Sequence, residues 1–470
     1  MTPIPPRWPA LLLGVAFLGG CASFSPDGGL DTVAELSRER IGLAPEPLRG
    51  EADVARVAEE VGRLLAQPLS AESAVRIAIL NNRALQASLA NLGIAEADLV
   101  QAGRLRNPGF SFSRLAGGGE VEYERKFLFD LMGLLTLSTR AGIERRRFEA
   151  TQLAVAGDTL QLAQRARQAW FAAVAARQAA RHRESIDRAG EAASDLARKM
   201  ADAGNFSRLR QQREQLLRAE LRADLDRARR EEVGARENLV RVLGLSGAQR
   251  GFALPDSLPE LPSELMPEAA ALAKAMDGRL DLRMARRELD GLGQSLGLTR
   301  SSRFINVLDV GYLNKSATGA PRATGYEIEL ALPLFDAGGA RVAKAEALYR
   351  QAMHRVAAAA IDAESEVRDS HAAYRAAHDL ARRYRAEIVP LQRSITEETL
   401  LRYNGMLLGV WDLLAEARRQ LAGANASIQA QKDFWIAESN LQMSLNGPGG
   451  GGATLSAGPV QAAEAGGGGH

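Results

Sequence analysis

One cysteine, Cys21, stands where a thiol has a recognisable covalent chemistry. It follows the lone cation Arg7 and the run Trp8 to Gly20, about 13 residues. A bilayer span needs roughly 20 apolar residues, so the run suits the core of a signal peptide instead. It ends Leu18-Gly19-Gly20-Cys21. This has the form of a lipobox, in which a small residue precedes a cysteine that is acylated and becomes the mature N-terminus. The reading predicts a signal peptide over 1–20 and a covalent diacylglycerol and N-acyl lipid at Cys21. Ala22 follows, not the Asp that tends to retain such proteins in an inner membrane, so an outer membrane is expected. Two or three acyl chains hold far better than one, since each buried methylene is worth about 0.8 kcal/mol.

Other chemistries find little support. With one cysteine there is no internal disulfide and no cysteine metal cage. The five histidines are His182, His354, His371, His378 and His470, and none makes an HExxH. His371 and His378, seven apart, read as a solvated surface pair and not a metal site. No Walker loop, no GxGxxG after a strand and no GxSxG occurs, so no enzyme, metal or further cofactor is expected. Lys+Arg is 59 and Asp+Glu 57, a net charge of +2 that argues against nucleic acid as a partner.

The elements that would position Cys21 and the rest are marked by proline. None lies between Pro108 and Pro255, and only Pro390 between Pro333 and Pro448. An interior proline costs a helix about 3 kcal/mol. These stretches, rich in Ala, Leu, Arg, Glu and Gln, therefore predict two very long helical hairpins. Their turns are Ala203-Gly204-Asn205-Phe206-Ser207 and Tyr403-Asn404-Gly405. An arm from about 135 to 203 would reach roughly 100 Å. Leu153, Leu160, Ala163, Ala166, Trp170, Ala173 and Ala180 recur at three, four or seven, a coiled-coil-like seam of small knobs.

A similar block precedes each hairpin, an internal repeat. One runs from Leu69 through Asn81-Asn82-Arg83 to Phe110, the other from Pro267 through Gly278-Arg279-Leu280 to Phe304. The expected organisation is a lipidated segment 21–68, a first repeat 69–250, a linker 251–266, a second repeat 267–446 and a disordered Gly-rich tail 447–470.

Both repeats contain segments of period two. Val121, Tyr123, Phe127 and Phe129 share one face, with Glu122, Glu124 and Lys126 on the other. Tyr326, Ile328, Leu330 and Leu332 likewise oppose Glu327 and Glu329. Upstream partners are Phe110 to Leu115, across Gly117-Gly118-Gly119, and Phe304 to Leu313, across a loop near Lys315 to Ala323. Two β-hairpins of about 9–11 residues per strand could cross a bilayer when tilted. Four strands cannot close, and each open-edge backbone group costs several kcal/mol in hydrocarbon. A shared barrel is required, and three copies give twelve strands. The fold class expected is mainly α with a small β part.

These two helix-to-strand blocks, with Leu332-Pro333-Leu334-Phe335-Asp336-Ala337-Gly338-Gly339 and Arg402-Tyr403-Asn404-Gly405 to Trp411-Asp412-Leu413-Leu414, resemble the TolC-like outer-membrane efflux family, in its lipoprotein branch. The likeness covers about residues 69–446. It implies a homotrimer with a 12-stranded β-barrel in the outer membrane and a helical barrel in the periplasm. Such a duct docks on a periplasmic adaptor and an inner-membrane pump, and exports small toxic compounds or metal ions. Its lumen would carry Glu122, Glu124, Glu327 and Glu329. Asp412 matches a carboxylate of the periplasmic gate; the next gate carboxylate corresponds to Ala415, with Glu416 beside it. Met406 stands where a glycine is common, and the first tip carries Leu209 and Arg210, not an acid. Gly204, Ser207 and Gly405 match tip positions where adaptors dock. Two other readings are the outer-membrane component of type I protein secretion and a non-conducting coiled-coil envelope lipoprotein. A periplasmic adaptor is disfavoured because the chain lacks β-rich soluble modules.

Overall fold

The computed structural model describes residues 23–305 and 307–447. The signal segment, Cys21 and the tail from 448 lie outside those residues. Two short helices come first, α1 (Leu30–Ile41) and α2 (Glu51–Leu65). Their Val33, Leu36, Val57 and Val61 join the main core.

The same element order then runs twice. In the first half α3 (Ala71–Asn81) and α4 (Arg83–Ala102) lead into strands β1 (Gly109–Gly117) and β2 (Glu120–Asp130). A helical hairpin follows, α5 (Leu131–Asp202) and α6 (Arg208–Leu243). In the second half α7 (Glu268–Gly278) and α8 (Leu280–Ser301) lead to β3 (Leu308–Ala317) and β4 (Ala323–Leu330). The second helical hairpin is α9 (Gly339–Arg383), a π-turn Tyr384–Ile388, α10 (Val389–Asn404) and α11 (Val410–Asn446). With 72 residues α5 is about 108 Å long. The one proline inside a long helical run, Pro390, lies two residues past the π-turn. Its missing N–H breaks the i→i−4 ladder, and the wider turn absorbs the defect.

The helix breaks of the two halves do the same job by different chemistry. The last carbonyls of a helix have no partner within it. In the first half Asn81 donates to the Leu243 and Gly244 carbonyls at 3.2 and 2.7 Å, and Asn82 to Val242 at 2.9 Å, which ties down the end of α6. Asn82 also caps α4 by accepting from the Ala84 and Leu85 N–H groups. In the second half Arg279 donates to the Ser444 carbonyl at 2.8 Å, near the end of α11. Its charge is held by Asp281 at 2.7 Å and Glu366 at 2.9 Å.

The small-residue seam of α5 is buried throughout, from Leu153 to Ala180. Aromatic rings concentrate where α11 meets α5 and α9: Phe171 of α5 stacks on Trp435 at 5.1 Å, and Phe434 on Tyr374 of α9 at 5.5 Å. His371 and His378 belong to this region, which corrects their reading as solvated. Both are buried, facing the carbonyls of Met266 and Pro262 at 2.8 and 3.3 Å. A backbone segment laid across α9 supplies acceptors that sequence spacing does not reveal. Among the described residues no group of His, Cys, Asp and Glu could hold a metal ion.

The four strands form one antiparallel sheet in the order β1-β2-β3-β4. The first hairpin closes through Gly118 and Gly119, both in the left-handed region at φ 61° and 85°. That is the primed two-residue turn that glycine permits and the strand twist favours. The second hairpin departs from expectation. The third strand starts at Leu308 and not Phe304, whose ring lies under the Arg303 guanidinium at 4.0 Å, before the strand begins. It also continues to Ala317, which pairs with Glu122, so the connecting loop is only 318–322. The fourth strand ends at Leu330, leaving Leu332 beyond it.

Candidate pore sheet and helical tips

Register decides which side chains share a face. Phe110, Phe127, Tyr312 and Tyr326 align across the sheet. So do Phe129, Val310 and Ile328 on the same face. These groups are solvent-exposed in the single chain, Tyr326 at 83%. A run of exposed rings on one sheet face marks an apolar partner.

The opposite face holds the four expected glutamates, and they are not isolated charges. Lys315 lies 2.9 Å from Glu124 and 3.7 Å from Glu122; Lys126 lies 2.7 Å from Glu327. Glu329 stands across from Asp309, which stands across from Asp130. With Glu120 opposite Gly117, the face gathers seven carboxylates and two lysines. Arg114, Arg125 and Arg322 are all on the aromatic face, Arg322 by its bond to Asn314. Strand charges are therefore sorted by residue type, acids and lysines on one face and arginines on the other.

The far ends of the helical hairpins are the second region of interest. Gly204 closes the first tip at φ 77°, and Ser207 caps α6 by accepting from the Arg210 N–H at 3.4 Å. At the second tip Gly405 has φ −79°, so its lack of a side chain is not what the turn uses. The left-handed residue is its neighbour Met406, at φ 59° and 94% exposed. A non-glycine residue there costs about 1–2 kcal/mol. Asp412, in the first turn of α11, is exposed and accepts from the Gly409 N–H at 3.2 Å. Glu416 is buried and pairs with Arg419 at 2.7 Å.

The structure brings the two tips of one chain together through residues that spacing alone leaves unpaired. Phe206 stacks on Trp411 with centroids 4.9 Å apart and planes 28° from parallel. Further along, Glu214 of α6 meets Arg418 of α11 at 3.2 Å. Both aromatic residues sit in the turn motifs quoted above. Their only signal in the sequence is an aromatic residue at each tip in a chain with 5% aromatics.

Among solved structures the chain aligns over 80% of its length with the CmeC outer membrane channel of Campylobacter jejuni, at a TM-score of 0.69 and 14% identity, covering 85% of that chain. A membrane protein from Pseudomonas aeruginosa gives 0.68 at 20% identity, with 80% of this chain and 93% of that one aligned. The open state of the Neisseria gonorrhoeae MtrE outer membrane channel gives 0.66 at 17%, with 80% and 88% aligned. The chain has the outer-membrane channel fold. Within the single chain the expected mainly α class with a small β part is the one found, a four-stranded sheet followed in each half by a long helical hairpin. No protein-family model and no curated protein matches the sequence itself. No described helix is long and apolar enough to cross a membrane.

Proposed function

We propose that the protein is the outer-membrane exit duct of a tripartite efflux system, a homotrimer whose sheets join in one 12-stranded barrel. The observation that carries this reading is the sheet: one face of exposed rings, one of charges, and two unpaired edges. Strands β1 to β4 alternate in direction, so β1 and β4 run oppositely. In a ring of copies β4 of one chain can then pair antiparallel with β1 of the next, and every edge is satisfied. Lipid admits no other arrangement, since each unpaired group there costs several kcal/mol. A non-conducting tether would leave the rings and both edges without a partner.

In this reading the charged face lines a water-filled lumen, with Glu122, Glu124, Glu327 and Glu329 partly neutralised by Lys126 and Lys315. The helical hairpins form the periplasmic tunnel. Its tips, at Gly204, Ser207 and Gly405, meet an adaptor and an inner-membrane pump that supplies the energy. Cys21 carries the lipid anchor. Opening splays the tips and must part Phe206 from Trp411 and Glu214 from Arg418, two discrete packings biased by partner contact. The cargo in this reading is small toxic compounds, drugs or metal ions.

The test is reconstitution in planar bilayers with mass measurement in detergent. Ion conductance from a particle of three chains is expected. A water-soluble monomer without conductance refutes the reading.

A further inference from the structure

We propose that each chain holds the anionic headgroup of one membrane lipid on the aromatic face of its sheet, between Arg125 and Arg322. The inference rests on the reading that this face meets lipid. A cleft of about 310 Å³ opens there, lined by Arg125, Phe127, Tyr312, Asn314, Arg322 and Thr324.

Three observations converge on an anion. First, both guanidinium groups converge on one acceptor, with Arg125 Nη1 at 3.3 Å and Arg322 Nε at 3.1 Å from Asn314 Oδ1. Asn314 is itself buried, so the shared anchor is fixed and the two like charges are held side by side. Each guanidinium has five N–H donors and spends one on this contact, leaving planar forks of the kind that grip phosphate. Second, no strand carboxylate shares their face; every acid of the sheet lies opposite, beside Lys126 and Lys315. Two uncompensated cations at a lipid boundary are costly unless an anion joins them. Third, the cleft has a polar and an apolar end. Arg322 precedes β4 and Thr324 pairs with Asn314, near the hairpin loop, whereas Phe127 and Tyr312 lie towards the helices. Guanidinium groups at headgroup depth with rings alongside an acyl chain match a lipid, not free phosphate.

The full-length protein in neutral detergent is titrated with phosphatidic acid, phosphatidylcholine or inorganic phosphate and read by native mass spectrometry. Phosphatidic acid is expected to be retained at least tenfold over phosphatidylcholine. Arg125→Gln with Arg322→Gln should abolish the preference, while Lys315→Gln, on the other face, should keep it. Arg322→Gln alone, outside the strands, serves if the double variant misfolds, and selectivity of the unaltered protein needs no variant. Equal retention of the two lipids overturns the inference, as does displacement of phosphatidic acid by inorganic phosphate. Flotation with vesicles separates the two levels. Protein that floats without selectivity sinks this inference alone, and protein that does not float sinks the membrane reading beneath it.

Discussion

Replacing Trp411 by Ala removes the ring on which Phe206 rests and so unties the two helical tips of each chain. A stacked pair at 4.9 Å is worth about 0.5–1.5 kcal/mol beyond the area it buries. At about 1 kcal/mol per chain, the three copies of the proposed trimer would hold about 3 kcal/mol against opening. Since 1.4 kcal/mol is a factor of ten, Trp411→Ala is expected to shift the opening equilibrium of a trimer about a hundredfold. Single-channel recording gives the open fraction for the parent, Trp411→Ala, Phe206→Ala and the pair. The double-variant cycle isolates the stacking energy provided trimers persist in detergent. Strict additivity of the two substitutions, or an unchanged open fraction, refutes the claim that this contact holds the tips.

Asp412→Ala loses both an exposed carboxylate near the second tip and the acceptor for the Gly409 N–H, which frays the start of α11, so in the proposed duct conductance should rise. Met406→Gly relieves left-handed strain at an exposed residue whose side chain packs on nothing of note, for a net gain of up to about 1 kcal/mol. Slower protease cleavage at the second tip would show it. Arg279→Ala removes the buried cation that pairs with Asp281 and that binds the Ser444 carbonyl, and breaking a buried ion pair from one side costs about 3–5 kcal/mol. Denaturant unfolding should register that loss. Burial raises the Glu438 carboxyl above its ordinary value, an effect that outweighs Arg167 and a bond to Gln442. A raised carboxyl favours the fold below its unfolded pKa, and that advantage is lost as pH rises through the folded value. Glu438→Gln should therefore raise the melting temperature at pH 8 and leave it nearly unchanged below pH about 4.

Element type and element face were written in the sequence because both depend on local spacing. Missing prolines set the lengths of α5 and α9 to α11, and the alanine seam from Leu153 to Ala180 marked the side of α5 that packs. Alternation from Val121 to Phe129, with Arg125 the one charge on the apolar side, separated rings from acids without reference to any partner strand. What required the tertiary structure was every relation between segments far apart in the chain. The pairing of β2 with β3 joins two halves separated by α5 to α8, and only that register places Arg125 beside Asn314 and Arg322. The burial of His371 and His378 needed the carbonyls of Met266 and Pro262, and the stack of Phe206 on Trp411 needed two turns at the ends of separate helical hairpins. Periodicity tells a side chain which way to face within its own element. The partner it meets there is chosen by how whole elements are packed, and no short window of sequence contains that information.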